Sequence, residues 1–242
     1  MPVTELPPTA ILPRTATRRI GRPRALLALA ALVFASTVSL SMVAVRGFYL
    51  EGRFKYTFLV WNLLLAWIPM VFAFVAYRSH ARGDRPNVLL GSCVLAWFFF
   101  FPNAPYIVTD FVHLRHAPPV PLWFDLLMIA SFAWTGLCLG YLSLYLMQEI
   151  ARARFGRWPS WGFAVAMLFL GSVGIYLGRV LRWNSWDVLR DPAGVLRGSL
   201  KIVEDSPDQL GVVAFVCVAF LFLLSTYCAT FALTHLHEGE TA

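Results

Sequence analysis

The sequence predicts an all-α integral membrane bundle of six transmembrane helices. Three observations carry this. First, six long apolar stretches, Ala25–Val45, Thr57–Tyr77, Val88–Val108, Leu122–Met147, Trp161–Leu181 and Leu210–Thr234, account for most of the 242 residues. Each has at least 21 residues, and roughly 20 apolar residues at 1.5 Å apiece cross a ~30 Å hydrocarbon layer. Second, 59% of the chain is hydrophobic and 14% charged, against roughly 45–50% and ~25% in soluble domains. Third, backbone amides in lipid must be satisfied internally, so each stretch is helical unless protein or water covers it. The expected division is a disordered, Arg-rich cytoplasmic tail over residues 1–24, a six-span domain over 25–235, and a short acidic tail over 236–242.

The first element is a Pro- and Thr-rich tail from Thr4 to Thr17, which reads as disordered. Span 1 follows Arg14, Arg18, Arg19, Arg22 and Arg24. It is longer than the 7–15 residues of a signal-peptide core and reads as a retained anchor. Five arginines precede span 1 and three basic residues (Arg46, Arg53, Lys55) follow it, which places both termini in the cytoplasm. Over the whole chain the margin is narrower, eleven basic residues on the terminal side against nine opposite. The net charge of +7 thus belongs to connections between spans, and no nucleic-acid partner is inferred. Cys93, Cys138, Cys217 and Cys228 lie inside apolar spans without Cys-x-x-Cys spacing and read as small core residues.

Alternating span direction converts position into depth. Asn62 lies six residues into span 2, about 8 Å below the outer surface. Span 3 runs outward into Pro102-Asn103-Ala104-Pro105, followed by Asp110, His113 and His116. Both prolines lack a donor and disfavour helix in the preceding residue, so span 3 is expected to break there. The break reads either as a Pro-capped helix end or as non-helical backbone lining a polar pocket. Span 4 starts on the outer side with Asp125, and span 5 leaves outward through Arg179, Arg182, Asn184 and Asp187. Trp183 and Trp186 fit an aromatic belt. Beyond Asp191 the chain reads as a short amphipathic interfacial helix between spans 5 and 6.

Glycines sharpen the picture. Gly136 and Gly140 in span 4, and Gly171, Gly174 and Gly178 in span 5, mark faces where helices approach closely. Asp125 and Arg182 share those faces, so both are expected to point into the bundle, with Asp125 paired to Arg179 or Arg182. Asn103, Asp110, His113, Asp125, Arg179, Arg182 and Asp187 are expected to meet in one outer-leaflet cluster, with Asn62 and Asn184 among its binding groups. Asp110 and His113, three apart, could share acid–base work or a metal, but no certain third ligand accompanies them and no metal site is assigned.

Three strings carry a family resemblance: Trp61-Asn62-Leu63 with Ala66-Trp67-Ile68-Pro69, Phe101 to Leu114 (FPNAPYIVTDFVHL), and Gly178 to Val188 (GRVLRWNSWDV). They resemble the bacterial membrane family catalogued as domain of unknown function 1361. The resemblance implies a multipass protein of the bacterial inner membrane, and it supplies no substrate or catalytic role.

Three functions remain open on the residues. One is an outward-facing enzyme or binding site for an anionic lipid, phosphate or envelope precursor, with Arg179 and Arg182 on the phosphate and Asp110 and His113 as acid and base. The second is a small transporter or channel, although spans 1, 4 and 6 show few inward polar groups in their inner halves. The third is a structural subunit whose charges lock the bundle. No nucleotide-binding, triad or cofactor motif appears.

Overall fold

A computed structural model describes residues 22–51, 55–82, 88–114, 120–180, 193–194, 197 and 209–235. Those residues form six helices long and apolar enough to cross a membrane, and the chain is a multipass membrane protein. In chain order they are α1 (Arg22–Val45, extended by a π-helical turn Arg46–Glu51), α2 (Thr57–Arg82), and a composite third span. The third span consists of α3 (Val88–Phe100), the short α4 (Asn103–Tyr106) and a 3-10 turn (Ile107–His113). Then come α5 (Leu122–Phe155), α6 (Arg157–Arg179) and α7 (Gln209–His235). No strand forms among the described residues. Of the amphipathic interfacial helix expected from the sequence only residues 193–194 and 197 are described, and they are helical; both terminal tails lie outside the described residues, apart from the last turn of the Arg-rich segment, which begins α1.

Helix α5 is the axis of the bundle. It packs against α1, α2, the α4–3-10 segment and α6. From Ser143 to Ile150 its buried residues run almost around the whole circumference, which a helix does only when neighbours surround it. At its far end Gly156, at φ +90°, caps the helix and turns the chain directly into α6.

Little hydrophobic drive acts between helices in lipid, so close packing and interhelical hydrogen bonds hold them. Trp67 Nε1 donates to Ser36 Oγ (3.1 Å) between α2 and α1, and Trp97 Nε1 donates to Ser143 Oγ (3.2 Å) between α3 and α5. Tyr227 of α7 donates to Gln148 Oε1 (2.5 Å), and the Tyr141 and Thr226 hydroxyls meet close by. The halves of spans 4 and 6 towards Phe155 and His235 therefore hold more inward polar groups than hydropathy suggested. The aromatic ones escape a hydropathy reading because Tyr and Trp count as apolar until their hydroxyl or N–H finds a partner.

At the Pro-Asn-Ala-Pro segment the backbone stays in the right-handed helical region: Pro102 has φ −61°, ψ −21°. What changes is the hydrogen-bond ladder. Phe101 N–H still reaches Trp97 O (2.8 Å), but Ala104 N–H closes a tighter turn on Phe101 O (3.2 Å). From Ile107 the chain continues as 3-10 helix. The span is interrupted without becoming irregular, because each missing proline donor removes one bond while the neighbouring turns tighten.

Glycine faces on two helices grip this interrupted segment. A methyl group added at Gly136 would lie 2.7 Å from Ala104 O, and one at Gly140 would lie 3.2 Å from Ala104 Cβ, both on α5. On α6, one at Gly174 would lie 2.7 Å from Pro102 Cβ, and one at Gly171 would lie 3.2 Å from the Phe101 ring. Phe101 to Ile107 is thus wedged between α5 and α6, and this sets where the following 3-10 turn places its side chains.

Candidate functional site

Two Asp–Arg pairs form at the end of the bundle where α1, the third span and α6 finish. The first joins the 3-10 turn to α6. Asp110, 1% exposed, accepts from Arg179 Nη2 through Oδ1 and from Asn62 Nδ2 (2.8 Å) through Oδ2. Arg179 Nε also donates to Thr109 Oγ1 (2.9 Å), and its guanidinium lies over the Tyr106 ring, 4.8 Å from the centroid. Its Nη1 lies 3.1 Å from His113 Nε2. A guanidinium only donates, so His113 Nε2 accepts and the ring proton sits on Nδ1. Asp110, Asn62, His113 and Arg179 therefore meet, as the sequence places them, from three different spans.

The spacing explains the convergence. Thr109, Asp110 and His113 lie within one 3-10 stretch, whose three-residue period stacks Asp110 and His113 along one side. Arg179, the last residue of α6, follows the Gly171–Gly174 face that packs on Phe101 and Pro102. The fork of the guanidinium then reaches the side chains of Thr109, Asp110 and His113 together.

The second pair corrects the expectation for Asp125. Among the described residues its partner is not Arg179 but Arg46, in the π-helical turn that ends span 1, and the alternative, Arg182, lies outside those residues. Arg46 donates from Nε to Oδ1 (2.6 Å) and from Nη2 to Oδ2 (3.0 Å), a bidentate fork. Its guanidinium also lies over the Tyr56 ring, 4.4 Å from the centroid. Side-chain exposures are 2% for Arg46 and 1% for Asp125. Asp125 faces α1 because α1 packs directly on α5, whereas Arg179 is already held by Asp110 on the intervening 3-10 turn.

Tyr56 links the two pairs. Its hydroxyl reaches Asp125 Oδ2 (3.4 Å) and His113 O (3.3 Å), and Phe58, two residues on, packs edge-on against the His113 ring (4.8 Å). Burial, and then the charge of Asp125, push the Tyr56 hydroxyl above the usual tyrosine range, so it stays a neutral donor. Arg46 and Tyr56 were not singled out from the sequence. Arg46 counted only as a topology charge, and Tyr56 stands alone between connection and span. The one available signal was Arg46 at the end of an otherwise apolar span, on the same side as Asp125.

Asn103 sits beside the cluster, donating to Phe100 O (3.1 Å) and lining a cavity of about 310 Å³ with Asn62, Tyr106 and residues of α6. Arg182, Asn184 and Asp187 lie outside the described residues. Among the described residues, no group of three His, Cys, Asp or Glu side chains stands close enough together to hold a metal ion.

With this geometry in place, the comparison with known families is direct. The model for the family described as Protein of unknown function (DUF1361) matches residues 61–225, well over half of the chain, and the chain belongs to that family. No curated protein and no solved structure matches it.

Proposed function

We propose that this protein binds the anionic group of a membrane amphiphile, a lipid or a lipid-linked envelope precursor, at Arg179. The observation that carries the reading is the state of Arg179. It is an arginine at the end of a membrane span, held by a carboxylate that is almost wholly buried, yet its own side chain remains 18% exposed. Tyr106, the ring under its guanidinium, and Gly178, the residue before it, both line a cavity. Charge at membrane depth costs several kcal/mol unless partnered, so an accessible guanidinium there marks a site rather than filler. Its planar fork suits phosphate or carboxylate oxygens.

Asp110, Thr109 and Asn62 fix the guanidinium from behind. His113, whose Nε2 accepts a hydrogen bond from Arg179 Nη1, is the group a ligand anion would displace. Both oxygens of Asp110 are already engaged, which favours binding and orientation as its role. In this reading the end with the site faces outward and both termini lie in the cytoplasm, which the positive-inside pattern supports, and the membrane is the bacterial inner membrane that the family resemblance implies. Reporter fusions after Arg82 and Arg154 reading cytoplasmic, and after His116 and Asp205 reading exterior, are expected; the reverse pattern would turn the site inward.

Titrating the purified protein with a phosphate-bearing glycerolipid tests the site itself. Arg179→Ala should weaken binding about tenfold or more, equal to ~1.4 kcal/mol or more, and Arg179→Lys should recover part of it as a point charge. Unchanged affinity in Arg179→Ala would remove this reading.

A further inference from the structure

The 310 Å³ cavity lies between α2, the third span and α6, reaches Gly178, the residue before Arg179, and is elongated. Along α6 its lining runs from Gly178, next to Arg179, down to Met167 at mid-helix. Eleven residues at 1.5 Å per residue give a length of roughly 16 Å, about half the hydrocarbon thickness. Its walls are mostly apolar and aromatic, and Trp61, Phe98 and Leu170 on its rim are exposed large hydrophobic residues. In a six-span bundle such residues face lipid, so the cavity opens sideways into the hydrocarbon rather than upward into water. The polar side chains of its lining, Asn62, Asn103, Tyr106 and Trp61, belong to α2 and to the part of the third span near and beyond the Pro-Asn-Ala-Pro segment.

We infer that this cavity is a slot for one hydrocarbon chain, admitted laterally from the bilayer, of the same amphiphile whose anionic group docks on Arg179. The volume stands at the small end of ligand pockets, which suits one chain and leaves a second in the surrounding lipid. Apolar contact alone would not select an occupant, because lipid tails are as apolar as the slot. Selection comes from charge complementarity at Arg179 and from the asparagines between head and chain, whose amides match ester or phosphodiester oxygens. The chemical class is therefore a phosphate-bearing lipid, with the polar linkage level with Asn62 and Asn103. The inference rests on the anion-binding reading for the head group, and on the cavity alone for the chain.

The test uses the full-length protein in bilayer nanodiscs with a monoacyl glycerophosphate carrying a photoreactive diazirine near the chain end. Adducts mapped by peptide mass spectrometry should concentrate on Phe98, Met167 and Leu170. Val173→Phe, which narrows the slot without touching Arg179, should cut those adducts about tenfold, a change of ~1.4 kcal/mol. Adducts spread evenly over lipid-facing residues such as Leu64, Val71 and Leu233 in the wild-type protein would overturn the slot without any variant having to fold. The matched neutral monoacylglycerol separates the two readings. Equal labelling of the slot by both probes keeps the chain site and removes the anion reading. Competition by the phosphate lipid at Arg179 with no slot adducts keeps the anion reading and removes the chain site.

Discussion

The two ion pairs at this end of the bundle are assembled from the same parts. Each has a buried aspartate, an arginine ending a span, and a tyrosine ring under the guanidinium. They differ in closure. Arg46 is 2% exposed and spends Nε and Nη2 on one carboxylate, whereas Arg179 is 18% exposed and divides its donors among Thr109, Asp110 and His113. A sealed bidentate pair has no spare geometry for a ligand, and its effect is to fasten α1 to α5. In the proposed function, a shared, partly open guanidinium exchanges its contact with His113 for an anion. One motif is therefore closed at one position and partly open at the other, a rivet and, in the function proposed above, a receptor, and the difference is set by what packs around it.

The comparison breaks most sharply at Asp125. Asp125→Ala leaves Arg46 charged and buried, and should cost ~3–5 kcal/mol of stability. The double variant with Arg46→Ala should lose less than the sum of the single losses. Strict additivity in detergent unfolding would mean that the sealed pair is not coupled, and the distinction between rivet and receptor would go with it.

Next in size is the grip on the third span. Gly136→Ala would drive a methyl group against Ala104 O, a backbone atom that cannot swing away, and should cost about 1–3 kcal/mol. Gly91→Ala meets nothing within 4 Å and serves as the control. It should be neutral, or stabilising by up to ~1 kcal/mol through helix propensity. Equal melting temperatures for both variants would show that the glycine face does not set the position of Asp110.

Arg179→Ala should cost less stability than Asp125→Ala, about 1–2 kcal/mol, because Asn62 still holds Asp110 Oδ2 and the partly exposed place of the Arg179 side chain lets water reach Oδ1. Its main effect should be on lipid binding. A stability loss as large as that of Asp125→Ala would make the second pair a rivet as well.

The smallest effect belongs to Tyr56, whose two hydroxyl contacts are long. Tyr56→Phe should cost about 1 kcal/mol or less. The folded hydroxyl holds its proton more tightly than the unfolded one, so its contribution is complete below the ordinary tyrosine pKa of ~10 and is lost as pH climbs through the raised folded value. Tyr56→Phe should flatten that alkaline loss in a pH series of melting temperatures. An unchanged slope would show that Tyr56 does not link the pairs.

The sequence by itself determined the six spans, the gathering of Asn62, Asp110, His113 and Arg179 at one end, and the glycine faces that let the third span sit between α5 and α6. These follow from length, alternation of direction and helical period, which are properties of the chain taken one segment at a time. The tertiary structure alone decided that Asp125 belongs to Arg46 and that Tyr56 joins the two pairs. It also decided that the proline-interrupted segment stays helical and that a cavity opens between α2, the third span and α6. Pairing among several arginines at similar depth depends on which helices are neighbours and how each is rotated, and hydropathy carries neither quantity. α1 packs on α5 while the 3-10 turn stands between Asp125 and α6, and that arrangement gave each aspartate its arginine.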